Sequence, residues 1–168
     1  MNRVALLLLG ILAAVPSAQA VDSLAVRLGQ AEDANVAGLD AAWQWDKQWF
    51  SEGHWHLTGY WEGRLGYWEG QGPGAKSAWE LGFAPVLRLR PNASGGTQPY
   101  MDAAIGAHLF SSNRLYATHE FDSRLQIGQQ VGLGVTFGAK SRYDISYRVG
   151  YLPNDDITSH QVRLSCLF

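Results

Sequence analysis

A long run of strict alternation restricts this chain more than any other feature. From Trp55 onward, one set of alternate residues is Trp55, Leu57, Gly59, Trp61, Gly63, Leu65 and Tyr67. The other is His56, Thr58, Tyr60, Glu62, Arg64, Gly66 and Trp68. Successive side chains of a strand point to opposite faces, so one face of this strand is apolar and the other polar and charged. Most strands of soluble proteins are about 5–6 residues long. This run is longer, and it suits the roughly 9–11 residues that a tilted strand needs to cross a bilayer.

The pattern recurs. Leu81, Phe83, Pro85, Leu87 and Leu89 oppose Glu80, Gly82, Ala84, Arg88 and Arg90, and Met101, Ala103, Ile105, Ala107 and Leu109 oppose Asp102, Ala104, Gly106 and His108. Leu125, Ile127, Val131, Leu133, Val135 and Phe137 oppose Arg124, Gln126, Gln130 and Thr136, with Gln129 interrupting the apolar face. Tyr143, Ile145, Tyr147, Val149 and Tyr151 oppose Arg142, Asp144, Ser146 and Arg148. Val162, Leu164, Cys166 and Phe168 oppose Gln161, Arg163, Ser165 and Leu167. Two weaker strands are expected near 23–30 and 35–45, which makes eight. Gly-rich and polar clusters separate them, and no linker, low-complexity segment or longer repeat divides the chain into domains.

The polar face decides what kind of barrel this is. In a soluble barrel the apolar face points inward and the polar face meets water. Here the polar face carries both signs of charge, in Glu62, Arg64, Glu80, Arg88, Asp102, Arg124, Asp144 and Arg148. Those charges can pair within a lumen that eight strands make just wide enough for side chains, which leaves little room for a pore. The other face is Leu, Ile, Val and aromatic, as lipid requires. Closure follows, because an open edge in hydrocarbon leaves backbone groups unsatisfied. The expected fold is all-β, an eight-stranded antiparallel outer-membrane barrel. Seven Trp, seven Tyr and six Phe are a heavy aromatic load, and Trp43, Trp45, Trp49, Trp55, Trp61, Tyr67 and Trp68 are expected in an interfacial girdle. The competing reading is a soluble periplasmic β-protein, a sandwich or lipocalin-like barrel.

The chain begins as an exported protein would. Arg3 precedes an apolar run over 4–15, and Ala18-Gln19-Ala20 has the small-x-small pattern of a cleavage site. Residues 1–20 are read as a signal peptide and 21–168 as the barrel domain; the apolar run is too short to span a bilayer as a helix. With a periplasmic N-terminus, the outer loops are 30–34, 69–76, 111–122 and 152–156. The net charge of −2 argues against nucleic acid as a partner, since phosphate binding wants a basic face. One cysteine, Cys166, permits no internal disulfide and is read as a small apolar filler on the lipid side. The last strand ends in Phe168, which looks like the signal that outer-membrane assembly machinery reads. Nothing in the sequence specifies an oligomeric state.

Several segments carry a family resemblance: Trp45-Asp46-Lys47-Gln48-Trp49, Leu57-Thr58-Gly59-Tyr60-Trp61, Tyr67-Trp68-Glu69-Gly70, Phe83-Ala84-Pro85-Val86, Ala104-Ile105-Gly106 and Pro153-Asn154-Asp155. In this order they resemble the lipid A 3-O-deacylase (PagL) family from about Trp43 to the C-terminus. The resemblance implies an eight-stranded outer-membrane barrel in contact with lipid A, lipopolysaccharide and outer-membrane lipids. It also implies removal of the acyl chain at position 3 of lipid A by a Ser–His–Glu triad on the lipid-facing side, without metal or other cofactor. In such a triad the His takes the Ser proton and the carboxylate holds the His in its useful tautomer. The family's His and Ser lie two apart on the seventh strand, with Asn after the Ser. Its Glu follows a Pro-Asn-x-Gly turn on the eighth.

This chain departs from that pattern. Matching Arg142 and Gly150 puts Ile145 at the His position, Tyr147 at the Ser and Arg148 at the Asn. In the turn Asp156 replaces Gly, and Thr158 takes the place of the Glu. The triad positions are therefore Ile145, Tyr147 and Thr158. Thr158 and His160 share a face and are the weak candidates for a substitute pair, while Ser146 and Ser159 point inward. His108 is expected in the lumen, bonded to Asp102 or Tyr100. His54 and His56 have no evident third metal ligand. His119, Glu120 and Asp122 fall in a solvated outer loop. The Gly-rich run 70–74 lacks the Lys-Ser/Thr ending of a phosphate cradle. The expectation is a lipid A-contacting barrel that has lost the deacylase chemistry. The alternatives are a lipid A ester hydrolase with a rearranged site and the soluble periplasmic protein.

Overall fold

A computed structural model describes residues 21–92, 96–113 and 123–168. Eight strands follow one another: β1 (Ser23–Ala31), β2 (Ala34–Gln44), β3 (Trp55–Gly70), β4 (Ser77–Pro91), β5 (Gln98–Phe110), β6 (Leu125–Phe137), β7 (Tyr143–Leu152) and β8 (Ile157–Leu167). Each pairs antiparallel with its sequence neighbour, and β1 pairs with β8 to close the barrel. The two weaker strands expected near the N-terminus are β1 and β2. Closure gives every strand two partners, so none presents an open edge to lipid.

The faces follow the alternation. Leu81, Ile105, Val131 and Leu133 are each about 60 % exposed on the outer wall, whereas Arg27, Glu62, Arg148 and Gln126 are fully enclosed. The lumen is filled in layers. At the end opposite the termini, Ala31, Val36, Trp68, Phe110, Leu152 and Ile157 form an apolar plug, with Trp68 edge-on to Phe110 at 5.4 Å. Beneath it lie five arginines (Arg27, Arg64, Arg88, Arg148, Arg163) and five carboxylates (Asp40, Glu62, Glu80, Asp102, Asp144), all buried. Arg148 contacts Glu62 at 2.9 Å and Asp102 at 3.2 Å. Arg88 bonds Asp102 at 2.8 Å and Asp144 at 3.0 Å. Tyr60 Oη donates to Asp102 at 2.9 Å while accepting from Arg148 at 2.8 Å. Equal numbers of opposite charges make this burial tolerable, because each ion is paired and hydrogen-bonded. The cavity beside Arg64, His108, Gln130 and Gln161 is about 20 Å³, room for about one water.

Three expectations are corrected. Arg124 lies before β6 and is exposed, so it takes no part in the lumen network. Trp68 is buried at 3 % exposure and donates its indole N–H to Glu80 at 2.6 Å; its place on the charged face of β3 overrides its aromatic character. His108 bonds Glu80 at 2.6 Å and not Asp102 or Tyr100, because pairing of β4 with β5 sets it opposite Gly82, two residues from Glu80. At the terminal end the girdle forms on the outer wall. Trp45 meets Trp61 at 5.4 Å, Trp61 stacks on Phe83 at 5.4 Å, and Trp49 contacts Trp45 at 6.1 Å. Gly59 lies beneath the Trp45 ring, where a Cβ would collide with it.

Candidate functional site

The wall carrying the triad positions is built by β7 and β8. Their register sets Ile145 opposite Leu164, Tyr147 opposite Val162, Val149 opposite His160, and Tyr151 opposite Thr158. Ile145 and Tyr147 are exposed on the outer wall, at 43 % and 49 %. His160 is exposed beside them and Thr158 is half-buried. Ser146 and Ser159 are buried inside. Ser159 accepts a hydrogen bond from Gln161 at 2.8 Å, and Gln161 also accepts one from Arg27 at 3.3 Å. Both serines are thus on the wrong side of the sheet for a lipid substrate.

The turn joining β7 to β8 keeps the local shape of the Pro-Asn-x-Gly pattern. Asp156 takes the glycine position with φ of 53°, a left-handed conformation that Asp tolerates better than most residues. Its carboxylate accepts a hydrogen bond from Tyr151 Oη at 2.9 Å, which ties the turn to the outer wall.

The structure joins two residues that sequence reasoning left apart. Tyr147 Oη and His160 Nδ1 are hydrogen-bonded at 2.7 Å, with their rings 6.1 Å apart and 26° from parallel. They are diagonal neighbours across the β7–β8 ladder, a spacing within reach of long and aromatic side chains. Thr158 shares the face, but no hydrogen bond connects it to His160. Alternation placed Tyr147 and His160 on one face; only the register could show that their polar atoms meet. Among the described residues, no carboxylate bonds His160 and no group of three or more His, Cys, Asp or Glu is arranged to hold a metal. His56 bonds Asn92. His119, Glu120 and Asp122, and residues 1–20, for which a signal peptide is expected, lie outside the described residues.

The chemistry open to this pair is that of a phenol beside an imidazole. A phenol held by an imidazole could lose its proton to it, but acyl transfer from an alkyl ester to a phenol is uphill, because the aryl ester formed is the more reactive. Among the described residues no carboxylate orients the imidazole, the third part of the triad logic. A shallow depression of about 550 Å³ runs beside the pair, lined by Pro99, Leu133, Val135, Ile145, Tyr147 and Val162. Its lining is almost wholly apolar, as suits contact with hydrocarbon.

Comparison with known proteins agrees with this architecture. The family model described as lipid A 3-O-deacylase (PagL) matches residues 36–165. The chain is 34% identical over 155 residues to the lipid A deacylase PagL of Pseudomonas aeruginosa, covering 88% of this chain and 87% of that protein. The crystal structure of the outer membrane enzyme PagL superposes with a TM-score of 0.74 at 25% identity, covering 87% of this chain and 99% of that one. Neisserial surface protein A superposes with a TM-score of 0.50 at 12% identity, covering 87% and 94%, a likeness of fold alone.

Proposed function

The chain belongs to the lipid A 3-O-deacylase (PagL) family, and from that premise we propose that it is an outer-membrane barrel that holds lipid A without cleaving it. The observation that carries this reading is the content of the β7–β8 wall. The triad positions present an alkyl group (Ile145), a phenol (Tyr147) and a half-buried hydroxyl (Thr158). The imidazole beside them, His160, is committed to the phenol. Such a wall can still bind an acylated sugar through its apolar surface and its few hydrogen-bonding groups. It lacks an activated nucleophile. Residues 1–20 serve export and are removed, leaving 21–168 as the barrel, and the strand ending at Phe168 engages the assembly machinery.

The test is the mass of lipid A from a Gram-negative host expressing the full chain, with outer-membrane fractionation and heat-modifiable migration confirming the folded barrel. The expected spectrum is that of the host without the protein. Loss of one 3-hydroxyacyl chain, abolished by His160→Ala or Thr158→Val, would establish the rearranged hydrolase instead.

A further inference from the structure

Turns at the periplasmic end of outer-membrane barrels are usually short. The connection between β2 and β3, at the end that carries the termini, is a longer one and runs over residues 45–54. It begins as a continuation of the ladder. The Trp45 amide donates to the Gly59 carbonyl at 2.8 Å, and Trp49 and Leu57 exchange two bonds of 2.9 Å. Between those two levels β3 offers only Thr58, while the other side offers Asp46, Lys47 and Gln48. The surplus residues are pushed out of the ladder as a bulge, and all three are exposed.

The bulge grows out of the tryptophan girdle. Trp45, seated over Gly59, meets Trp49 edge-on at 6.1 Å, and Lys47 Nζ lies 5.4 Å from the centre of the Trp49 ring. Asn92 staples the tip beyond it. Its side-chain amide donates to the carbonyls of Ser51 at 3.0 Å and Gly53 at 2.6 Å, and its backbone N–H donates to that of His54 at 2.8 Å. A turn held at so many points is a built feature, yet its charges are unmatched. Among the described residues the Asp46 carboxylate has no hydrogen-bond or ion-pair partner, and Lys47 has none apart from the Trp49 ring. Tryptophan girdles lie at the level of lipid headgroups. One negative and one positive group are therefore presented at that level, side by side in sequence and not paired with each other.

We propose that this bulge binds the headgroup of an inner-leaflet zwitterionic phospholipid that carries a primary ammonium beside its phosphate. Lys47 donates to the phosphate, Asp46 accepts from the ammonium, and the Trp45 and Trp49 rings pack against the glycerol and the first acyl carbons. Charge selects the occupant. An anionic lipid would satisfy Lys47 but bring like charge to Asp46, whereas a headgroup of both signs satisfies the two together. The neighbouring surface points to the membrane, because the two tryptophans continue the lipid-facing girdle through Trp61 and Phe83. The site lies at the opposite end of the barrel from the turn joining β7 to β8. It rests on the outer-membrane location and not on the lipid A reading above.

The test uses the full chain purified in mild detergent and offered phosphatidylethanolamine and phosphatidylglycerol with the same acyl chains, with retention of each read by native mass spectrometry. The native chain should retain phosphatidylethanolamine more strongly. Asp46→Asn should lower phosphatidylethanolamine retention about threefold and leave phosphatidylglycerol no weaker, which erases the preference. Lys47→Gln should lower both about threefold, the size of a surface ion pair. Glu52→Gln, exposed at the tip of the same turn but outside the bulge, should change neither. All three positions are exposed and outside the strands, and heat-modifiable migration confirms that each variant folds. The proposal is overturned if the native chain shows no preference for phosphatidylethanolamine, or if neither bulge variant weakens its retention. It is overturned as well if Glu52→Gln weakens retention as much as Asp46→Asn does, since the charge of the whole turn, and not the bulge, would then be responsible.

Discussion

Polar residues on the two sides of this barrel wall are organised in opposite ways. In the lumen most charges have several partners: Arg163 alone meets Asp40 at 3.3 Å, Glu62 at 3.5 Å and Asp144 at 3.6 Å. On the outer wall the polar groups are few. Tyr147 and His160 have each other, and among the described residues the Gln129 side chain has no partner. Five positive and five negative charges are locked together from strands around the barrel, so the lumen is filled by side chains. On the proposed function, the remaining partners of the outer groups come from lipid. Removing one lumen residue should therefore damage the fold, and removing one outer residue should damage lipid contact.

The largest effect that would sharpen this contrast is expected from Arg148→Met. It leaves Glu62, Tyr60 and Asp102 without their shared donor and should cost about 3–5 kcal/mol, read as a lower temperature for loss of heat-modifiable migration. A charge on the other side should cost nearly as much for the opposite reason: Val131→Arg, placed among acyl chains, should destabilise by about 2–4 kcal/mol, measured by urea unfolding in lipid vesicles. Gly59→Ala should cost about 1–3 kcal/mol by displacing the Trp45 ring that covers it, with a change in tryptophan fluorescence at the girdle. The smallest effect belongs to Tyr147→Phe, which removes a hydrogen bond at an exposed site. A double-mutant cycle with His160→Ala should give at most about 1 kcal/mol of coupling. Equal losses from Arg148→Met and Tyr147→Phe would break the comparison.

Much of the fold could be read from residue order alone. Period-2 alternation located β3 to β8 and the direction of nearly every side chain, because a strand has only two faces. It also set Glu62, Arg88 and Asp102 in the lumen before their partners were known. What it could not supply was register. The partner of His108 and the contact between Tyr147 and His160 each depend on which residues stand opposite one another across neighbouring strands. Trp68 was misplaced for a different reason: an aromatic near a strand end suggested the membrane interface, while its parity with Glu62 and Arg64 already pointed inward. Arg124 was carried into the lumen by extending the alternation of β6 one residue past its start.

The central claim is that the face bearing Ile145, Tyr147 and Val149 meets acyl chains, while Asp144, Ser146 and Arg148 are enclosed. A single-nitroxide scan along β7, from Tyr143 to Leu152 in a Cys166→Ser background in lipid vesicles, tests it most directly. Collision with membrane-dissolved oxygen should peak at positions 145, 147 and 149 and fall to minima at 144, 146 and 148. A flat profile, or maxima at the even positions, would contradict it.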